Sequence, residues 1–368
     1  MRGQENRTAL VLSGGGARAA YEVGVLRALA ERSAAAGPSA PFSIFCGSSA
    51  GALNAAGLAL SAEDFAGGVR RLTSFWLSLQ VGEIHRPARR WLSGSSRMPF
   101  ADSKALFDPA PLADRLAREL DFGGLGLAIS DRALRALCVT CLGYASGQLV
   151  SFFQGRADLE PWQHRLRVGA HVGLDVKHVL ASMAMPFLFP AVKLNREYFG
   201  DGAMRDFSPL SPAVHLGAER IVAIGTGGAI PGEQQRSAQI GYPSLAELGG
   251  RMLSGADGLA SDVERMRQVN RLLDSVPPAS RSQLPWRSID LLLLEPSRSL
   301  ESLAIEVINE LPKPARSLLS RLGDLGDGLL ASHVLFEPAY LEKLIDLGYR
   351  DALASSGEID RFWSPKID

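Results

Sequence analysis

The sequence predicts an α/β fold with three layers, in which a mostly parallel central sheet has helices on both faces and a helical part follows at the C-terminal end. Two consecutive units in residues 8–61 each combine an apolar strand, a glycine-rich turn and a helix. Such units predict parallel strands joined by right-handed crossovers, with the chemistry at the carboxyl ends of the strands. Apolar runs at residues 219–226 and 288–294 predict two further core strands.

The first unit begins with an apolar strand at residues 8–13 and continues through Gly14, Gly15 and Gly16. Residues 19–33 then repeat their apolar side chains at helical spacing, which predicts an amphipathic helix. Backbone N–H groups without side chains can converge on one oxygen atom at the start of a helix. The three glycines are therefore candidates for an oxyanion hole.

The same turn also fits the relaxed G-x-G-x-x-A pattern of a dinucleotide site, through Gly14, Gly16 and Ala19. That site requires an acidic residue at the end of the next strand, where it binds the ribose. The next strand ends in glycine and serine instead. This disfavours the nucleotide interpretation without removing it.

The second unit contains a G-x-S-x-G sequence, made by Gly47, Ser49 and Gly51, between a strand at residues 42–47 and a helix at residues 50–61. A sharp turn from strand to helix exposes the serine hydroxyl, and it needs neighbours that are almost free of side chain. We therefore predict Ser49 as a nucleophile. The alternative is a chance match in a chain with 38 glycines, and the flanking strand and helix argue against it.

A serine nucleophile needs a base that removes its proton. Of the six histidines, none lies in a glycine-marked loop after a strand. Asp201 has a better context, because it follows a strand-like segment at residues 197–199 and lies between Gly200 and Gly202. An aspartate can accept the proton directly when it is within hydrogen-bond distance of the serine. An ordinary Asp-Gly hairpin turn is the alternative.

The rest of the chain adds a hairpin and several helices. The sequence predicts mainly helix at residues 62–120, a hairpin at 134–153, a helix near 175–185, and C-terminal helices at 243–275, 299–311, 314–333 and 338–355. Neither an internal repeat nor a convincing linker interrupts this order. We therefore predict a catalytic core at residues 1–230, and a mainly helical part with one further core strand at residues 231–368, packed on the same domain.

Composition limits the partners and the location. Acidic and basic side chains balance at 39 each, which removes the electrostatic case for nucleic acid. The three cysteines form neither an even disulfide framework nor, with histidines, a zinc site. The amino terminus lacks the apolar stretch of a secretory signal, and no segment reaches the about 18 apolar residues of a membrane span. We predict a cytoplasmic protein without metal or cofactor, which can meet a membrane peripherally at its inner face.

Two segments have compositions suited to lipid. Residues 84–101 combine arginines with aromatic side chains and contain no acid, which fits a flap on anionic headgroups or a solvated loop. Part of the wall of an acyl pocket, or ordinary core, is predicted for Met183, Met185, Phe187, Leu188 and Phe189.

Together, the segments at residues 14–18 (GGGAR), 47–51 (GSSAG) and 201–203 (DGA), in this order and at these separations, resemble the patatin-like phospholipases. The segments at residues 181–187 (ASMAMPF) and 222–227 (VAIGTG) are also similar to segments of that family. The motifs cover about residues 8–230, and the remainder is similar to the helical tail of bacterial members.

The resemblance implies a patatin-like fold and a Ser-Asp dyad without histidine, which hydrolyses an acyl ester in a lipid and needs no cofactor. The site residues that it implies are Ser49 and Asp201 as catalytic residues, Gly14, Gly15, Gly16 and Arg18 at the oxyanion hole, and Gly47, Gly51 and Gly202 as supporting positions. For Arg18, three roles stay open: fixing the glycine loop, facing an anionic headgroup, or forming a plain surface salt bridge.

The chain departs from the family pattern in three places. Ala19 and Ala203 each stand where a glycine is usual, and residues 206–209 (DFSP) replace the usual Asn-x-Pro. The first two changes are small. The third puts the turn after Asp201 in doubt, and the Asp206 charge could raise the pKa of Asp201.

We therefore expect a serine acyl hydrolase that acts on phospholipids or lysophospholipids through an acyl-enzyme. Two other classes stay open: a lipid-binding pseudoenzyme, and a nucleotide-binding module that uses the first glycine loop. The expected partner is the lipid substrate, with no nucleic acid, and the sequence predicts no particular oligomeric state.

Overall fold

The computed structural model describes residues 6–36, 40–79, 84, 105, 107–227, 258–281, 283–311 and 328–364. One mixed sheet of 10 strands forms its centre. The strands are β1 Thr8–Leu12, β2 Ile44–Ser48, β3 Ala136–Gly143, β4 Leu149–Gly155, β5 Trp162–His164, β6 Arg167–His171, β7 Val192–Leu194, β8 Glu197–Asp201, β9 Arg220–Ile224 and β10 Asp290–Leu294.

The strands lie in the order β10-β9-β1-β2-β3-β4-β6-β5, and β8 pairs with both β3 and β7. The run from β10 to β3 is parallel throughout, and β4 is parallel to β6. The β3–β4 hairpin and the pairs β3–β8, β5–β6 and β7–β8 are antiparallel. The predicted α/β class with a mostly parallel sheet is confirmed, as is the hairpin predicted at residues 134–153.

Helices surround this sheet. They are α1 Ala20–Ala36, α2 Ala50–Ala59, α3 Phe65–Leu77, α4 Ala110–Glu119, α5 Leu125–Ser130, α6 Val176–Ser182, α7 Ser211–His215, α8 Gly258–Ser275, α9 Pro278–Arg281, α10 Leu300–Glu310, α11 Leu329–Val334, α12 Pro338–Ala354 and α13 Ser356–Trp363. Short 3-10 turns span Gly16–Ala19, Phe122–Gly124 and Gly202–Arg205.

Side chains of β1 alternate between the two faces of the sheet. Leu10 and Leu12 pack into a large apolar cluster with α1, α2 and α12, whereas Ala9 and Val11 pack into a smaller cluster with α7 and α8. All four side chains are buried, as expected for a parallel strand that is covered on both faces. Helices therefore lie on both faces of the sheet, which makes the three layers that the sequence predicts.

The C-terminal part packs directly on this core. Strand β10 pairs in parallel with β9 over its full length, and α12 packs against α1. The two helices cross so closely that a Cβ atom at Gly24 would lie 2.0 Å from the Ile345 carbonyl oxygen, and one at Gly348 would lie 2.1 Å from that of Tyr21. Two glycines therefore allow the helix backbones to touch. The division of the chain at residue 230 stays a prediction.

Some sequence predictions concern residues outside the described ranges. The arginine-rich segment at residues 84–101 is described at residue 84 alone, and the predicted helices at 243–275 and 314–333 are described from residues 258 and 328 onward. Within the described ranges, no helix is both long enough and apolar enough to cross a membrane.

The antiparallel pair β5–β6 was not predicted from the sequence. Its strands have three and five residues, and they lie at the edge of the sheet with most of their side chains partly or fully exposed. Such short, half-exposed strands lack the apolar alternation on which strand prediction depends.

Candidate active site

The register of three strands brings Ser49 and Asp201 together. Strand β2 runs parallel to β3 and ends with Ser48 opposite Thr140. Strand β8 approaches the same edge of β3 from the other direction, and its last residue, Asp201, lies opposite Cys141, the next position along β3. Two segments that are 152 residues apart in sequence therefore end side by side.

Ser49 connects β2 to α2 in a backbone conformation that favours glycine, with φ 54° and ψ −136°. Its Oγ donates a 2.7 Å hydrogen bond to Oδ2 of Asp201. Its backbone N–H donates a 2.9 Å hydrogen bond to Oγ of Ser182, and that hydroxyl donates to the Thr140 carbonyl at 2.7 Å. Ser182 at the end of α6 therefore holds the strained turn against β3.

The glycines on either side of Ser49 permit this turn by close backbone contact. A Cβ atom at Gly47 would lie 2.3 Å from the Gly51 carbonyl oxygen, and a Cβ atom at Gly51 would lie 2.4 Å from that of Leu12. At Gly202, a Cβ atom would lie 2.2 Å from the Thr140 carbonyl oxygen. Each of the three supporting glycines therefore occupies a position where a side chain would collide with backbone.

Asp201 is buried, with 2% of its surface exposed. Its Oδ2 accepts from Ser49, and its Oδ1 accepts a 2.9 Å hydrogen bond from the backbone N–H of Ala203. Burial raises the pKa of Asp201 to about 6, and the two hydrogen bonds oppose this rise. The carboxyl group is thus a base of moderate strength that is already hydrogen-bonded to the serine hydroxyl.

From the sequence, we expected the Asp206 charge to raise the pKa of Asp201. The pKa is raised, but the expected cause is wrong. Desolvation of Asp201 itself produces the rise, and Asp206 is not among its causes. Asp206 is also buried, and desolvation raises its own pKa to about 6. The alternative interpretation of Asp201 as part of an ordinary Asp-Gly hairpin turn is also wrong, because Asp201 ends β8 and a 3-10 turn follows at Gly202–Arg205.

The three consecutive glycines form a loop in which every φ angle is positive, at 75° for Gly14, 116° for Gly15 and 61° for Gly16. The Gly14 N–H donates a 2.8 Å hydrogen bond to Oε1 of the buried Glu22. In the described part of the chain, neither the Gly15 N–H nor the Gly16 N–H has an acceptor. Of the three predicted donors, one is therefore occupied, and the other two have no acceptor among the described residues.

Arg18 follows this loop and is buried, with 3% of its surface exposed. Its Nε donates to Oγ of Ser332 at 2.8 Å, and its Nη2 pairs with Oε1 of Glu301 at 2.5 Å. Arg18 thus ties the glycine loop to α10 and α11. The expectation of a surface salt bridge is wrong, because the Arg18 side chain is buried, whereas fixing the loop fits these contacts. A contact with an anionic headgroup stays a prediction, since Arg18 also lines the cleft beside the loop.

A small cleft of about 80 Å³ opens between the glycine loop and the segment after Asp201. Its lining includes Gly14, Gly15, Ser48, Ala203, Asp206 and His333. His333 donates from Nδ1 to the Leu329 carbonyl at 2.9 Å, and burial lowers its pKa to about 3. Of the histidines that the structure describes, none is hydrogen-bonded to Ser49 or Asp201.

A small apolar cluster lies next to this site. Met185 and Leu188 of the predicted acyl wall are buried there, with Phe189 packed on them, together with Phe107 and Val334. It adjoins the site on two sides, because the Asp201 N–H donates to the Ala184 carbonyl and Val334 follows His333. The two other wall residues differ: Met183 packs on the main core, and Phe187 is 64% exposed.

Several site residues were missed in the sequence, namely Glu22, Asn54, Ser182, Thr226 and Ser332. Glu22, Asn54 and Ser332 are single polar residues inside apolar helices, and neither motif nor periodicity distinguishes them. Ser182 and Thr226 lie in the family-like segments at residues 181–187 and 222–227, but that resemblance assigned them no role. No group of three or more histidine, cysteine, aspartate or glutamate side chains suited to a metal ion occurs among the residues described.

Comparison with known proteins places this geometry in a family. The family model of the patatin-like phospholipases matches residues 10–214, which include both glycine-rich turns and Asp201. VipD from Legionella pneumophila is similar in structure, with 12% sequence identity and a TM-score of 0.35. The similarity covers 92% of this chain and 66% of the VipD chain, so this chain spans slightly less than two thirds of the length of VipD. No curated protein matches the chain. Because the family model spans more than half of the 368 residues, the chain belongs to the patatin-like phospholipase family.

Proposed function

We propose that this protein hydrolyses fatty-acyl esters of phospholipids or lysophospholipids, with Ser49 as the nucleophile and Asp201 as the general base. Members of its family are lipid acyl hydrolases. The observation that carries the proposal is the 2.7 Å hydrogen bond from Ser49 Oγ to Asp201 Oδ2, between two buried side chains at the carboxyl end of β2.

In the acylation step, Oγ of Ser49 attacks the ester carbonyl carbon while Oδ2 of Asp201 takes the hydroxyl proton. The carbonyl oxygen becomes an oxyanion in the tetrahedral intermediate. When this intermediate collapses, the ester bond breaks and the leaving alcohol takes the proton from Asp201. The products are an acyl group on Ser49 and the freed alcohol.

The glycine loop would stabilise the oxyanion. The N–H groups of Gly15 and Gly16 have no acceptor in the described part of the chain, and the Gly14 N–H is taken by Glu22. Losing one such donor typically costs about 3 kcal/mol of transition-state stabilisation. The proposed oxyanion hole therefore consists of Gly15 and Gly16, with Gly14 in a supporting position.

In the deacylation step, Asp201 takes a proton from water while the water oxygen attacks the acyl carbon. Collapse of the second tetrahedral intermediate breaks the bond to Ser49 Oγ, which regains the proton from Asp201. A fatty acid leaves, and the original protonation states are restored.

A cavity of about 340 Å³ along α2 supports an acyl chain as part of the substrate. Leu53, Gly57 and Leu60 line it, and their spacing places them on the side of α2 that continues from Ser49. Leu72, Phe75 and Leu120 provide apolar contacts from the other side, and the charged residues Arg71, Glu119 and Asp121 also line the cavity. This volume lies within the roughly 300–1,000 Å³ that is typical of ligand pockets.

The test is mass spectrometry of a mixed lipid extract after incubation with the wild type, Ser49→Ala and Asp201→Asn. We expect the wild type alone to release fatty acids and the matching lysolipids or deacylated lipids. A fluorophosphonate should label the wild type at Ser49 and should not label Ser49→Ala. Equal release by all three proteins contradicts the mechanism, and a wild type that neither releases product nor reacts with the probe indicates the pseudoenzyme instead.

The proposed place of action is the cytoplasm, with access to lipid at the inner face of the membrane. The support for this location is compositional, from the reduced cysteines and the arginine-rich segment at residues 84–101.

A further inference from the structure

We propose that Glu22 is the positioning residue of the oxyanion loop: it holds the Gly14 N–H inward, so that the next two N–H groups of the loop are presented to the substrate oxygen. This inference rests on the proposed function of Ser49 and the glycine loop. Glu22 itself would touch neither the substrate nor the reacting atoms.

The contacts of Glu22 form a continuous buried chain. Oε1 accepts from the Gly14 N–H at 2.8 Å, and Oε2 accepts from Nδ2 of Asn54 at 2.8 Å. Oδ1 of Asn54 accepts in turn from Nε1 of Trp76 at 2.8 Å. Glu22 and Asn54 are 0% exposed, and Trp76 is 1% exposed. Helices α1, α2 and α3 therefore support one end of the loop through side-chain hydrogen bonds.

Burying a carboxyl group in a protein core has an unfavourable desolvation free energy. Desolvation raises the pKa of Glu22 to about 8, and hydrogen bonds from Gly14, Asn54 and Ser13 oppose this rise, so the ionised form with two acceptor oxygens predominates only above about pH 8. An apolar side chain of similar size would avoid this cost. What the carboxylate adds is a pair of acceptor oxygens for two donors that converge from the loop and from α2.

The other end of the Gly14 residue is held as well. Oγ1 of Thr226 donates a hydrogen bond to the Gly14 carbonyl. In a trans peptide, the N–H of the next residue points away from that carbonyl, so this contact directs the Gly15 N–H to the opposite side. With its N–H on Glu22 and its C=O on Thr226, Gly14 has both backbone polar groups hydrogen-bonded, which supports one conformation of the loop before substrate binds. Such preorganisation is what makes an oxyanion hole effective.

To separate this role from simple packing, the test variants replace hydrogen-bond acceptors by donors, or donors by acceptors, without changing the size of the side chain. In Glu22→Gln, the oxygen can still accept from Gly14, but the amide nitrogen faces the Asn54 amide nitrogen. Rotating the Asn54 amide does not relieve this contact, because it would place a donor against Nε1 of Trp76. The double variant Glu22→Gln with Asn54→Asp provides an acceptor for both donors and is the predicted rescue, although it loses the 3.1 Å hydrogen bond from the Asn54 amide to the Ala19 carbonyl.

The experiment measures kcat and KM for a short fatty-acyl ester, the rate of fluorophosphonate labelling, and the hydrogen-exchange rate of the Gly14 amide by NMR. For Glu22→Ala, we expect faster Gly14 exchange, a kcat lower by about tenfold to a hundredfold and a nearly unchanged KM. Glu22→Gln should lose less, and the double variant should recover part of that loss, because Asn54→Asp also removes the donor to the Ala19 carbonyl.

Asn270→Ala is the matched control, since Asn270 bridges the N–H and the carbonyl of Ile289 away from the site. It should lower the unfolding temperature without changing kcat. If Glu22→Ala does not fold, the comparison of Glu22→Gln with the double variant tests the positioning role of Glu22.

The proposal is overturned if Glu22→Gln has the kcat of the wild type, if the double variant does not recover, or if Glu22→Ala keeps the Gly14 amide protected. A wild type without esterase activity would contradict the proposed function instead, and Gly14 exchange would still test the contact with Glu22.

Discussion

Burial gives the Asp201 carboxyl group the pKa of a useful base. In water, an aspartate is too weakly basic to take a proton from a serine hydroxyl at an appreciable rate. Desolvation in this site raises its pKa to about 6, while the hydrogen bond from Ser49 keeps the group within reach of the proton. The group is therefore ionised near neutral pH and more basic than an exposed aspartate.

The first prediction concerns the pH dependence of turnover. Because the proposed base Asp201 must be ionised to act, kcat/KM should fall tenfold per pH unit well below its pKa of about 6. A series of initial rates on a soluble short-chain ester, with the stability of the enzyme checked at each pH, measures this. A profile that stays flat down to about pH 4 would exclude Asp201 as the base.

The second prediction is that the ionised Asp201 carboxylate lowers the free energy of unfolding of the protein. The folded-state pKa of Asp201 is about 6, above the value of 3.8 for an unperturbed aspartate, so the folded state binds the proton more tightly than the unfolded state. Its contribution to stability is therefore fully present below about pH 4 and is lost as the pH rises through 6. Asp201→Asn should be inactive, yet more stable than the wild type by up to about 3 kcal/mol at neutral and alkaline pH.

Unfolding temperatures of Asp201→Asn and the wild type, measured at about pH 4 and about pH 8, test this prediction. The difference should be near zero at the acidic pH and clearly positive at the alkaline pH. The same difference at both pH values would show that the gain comes from packing rather than from the charge.

Among the elements, β3 and α2 determine the geometry of the site. Strand β3 receives the end of β2 and the end of β8 at adjacent positions on one edge, and this brings the hydroxyl and the carboxyl group within hydrogen-bond distance. Helix α2 begins directly at Ser49 and continues along the 340 Å³ cavity. One helix therefore presents the proposed nucleophile and borders the space proposed for the acyl chain.

The third prediction is that a side chain at Gly57 shortens the acyl chains that the enzyme accepts. A Cβ atom at Gly57 would meet only Leu72 Cδ1, at an ordinary 3.6 Å, so Gly57→Ala should fold and keep its preference. Gly57→Leu should fill the cavity and lower the ratio of long-chain to short-chain kcat/KM by about tenfold or more. Fatty-acid release from a series of esters of increasing chain length measures the ratio. An unchanged ratio in Gly57→Leu would place the acyl chain elsewhere.

Across the whole molecule, the C-terminal helices complete a site whose motifs all lie in residues 10–214. Ser332 and Glu301 bind the Arg18 guanidinium, and a Cβ atom at Gly16 would lie only 2.2 Å from the His333 carbonyl oxygen. The glycine loop is thus packed against residues that are more than 300 positions away in the chain.

The fourth prediction follows from this contact. Ser332→Ala removes the acceptor for two Arg18 N–H groups, so it should cost about 1–3 kcal/mol of stability and also lower kcat, because the loop loses support. Ser43→Ala is the matched control, since it removes another buried serine hydroxyl, one that donates to the Asn6 carbonyl near the start of β2. Thermal unfolding and kcat measure the two effects. Equal kcat in Ser332→Ala and Ser43→Ala would show that the C-terminal contact matters for folding alone.

The local chemistry of the turns could be predicted from the sequence. The turn at Ser49 needs glycines on both sides, and the loop at Gly14 needs positive φ angles, so both appear in the sequence as glycine patterns. The parallel direction of the first strands follows from the repeated strand–turn–helix units. Even the preference for Asp201 over histidine could be argued from its neighbours, because a tight turn after a strand is a local property.

The partners of these residues could not be predicted in this way. Ser182 meets Ser49 across 133 positions, and Arg18 meets Ser332 across 314 positions. Ser182 lies in a family-like segment, but neither that resemblance nor the neighbours of Ser182 and Ser332 indicate which distant residue each hydroxyl contacts. The direction of Arg18 and the occupation of the Gly14 N–H by Glu22 were missed for the same reason.

The sequence alone therefore determined the class of fold, the nucleophile turn and the glycine loop, because each depends on backbone conformations that only a few residue types near one another in the chain can adopt. The tertiary structure decided which N–H groups of the loop are free, why the Asp201 pKa is raised, and how the C-terminal helices support the site. These properties depend on burial and on hydrogen bonds between distant segments, and they exist only once the chain has folded around the sheet.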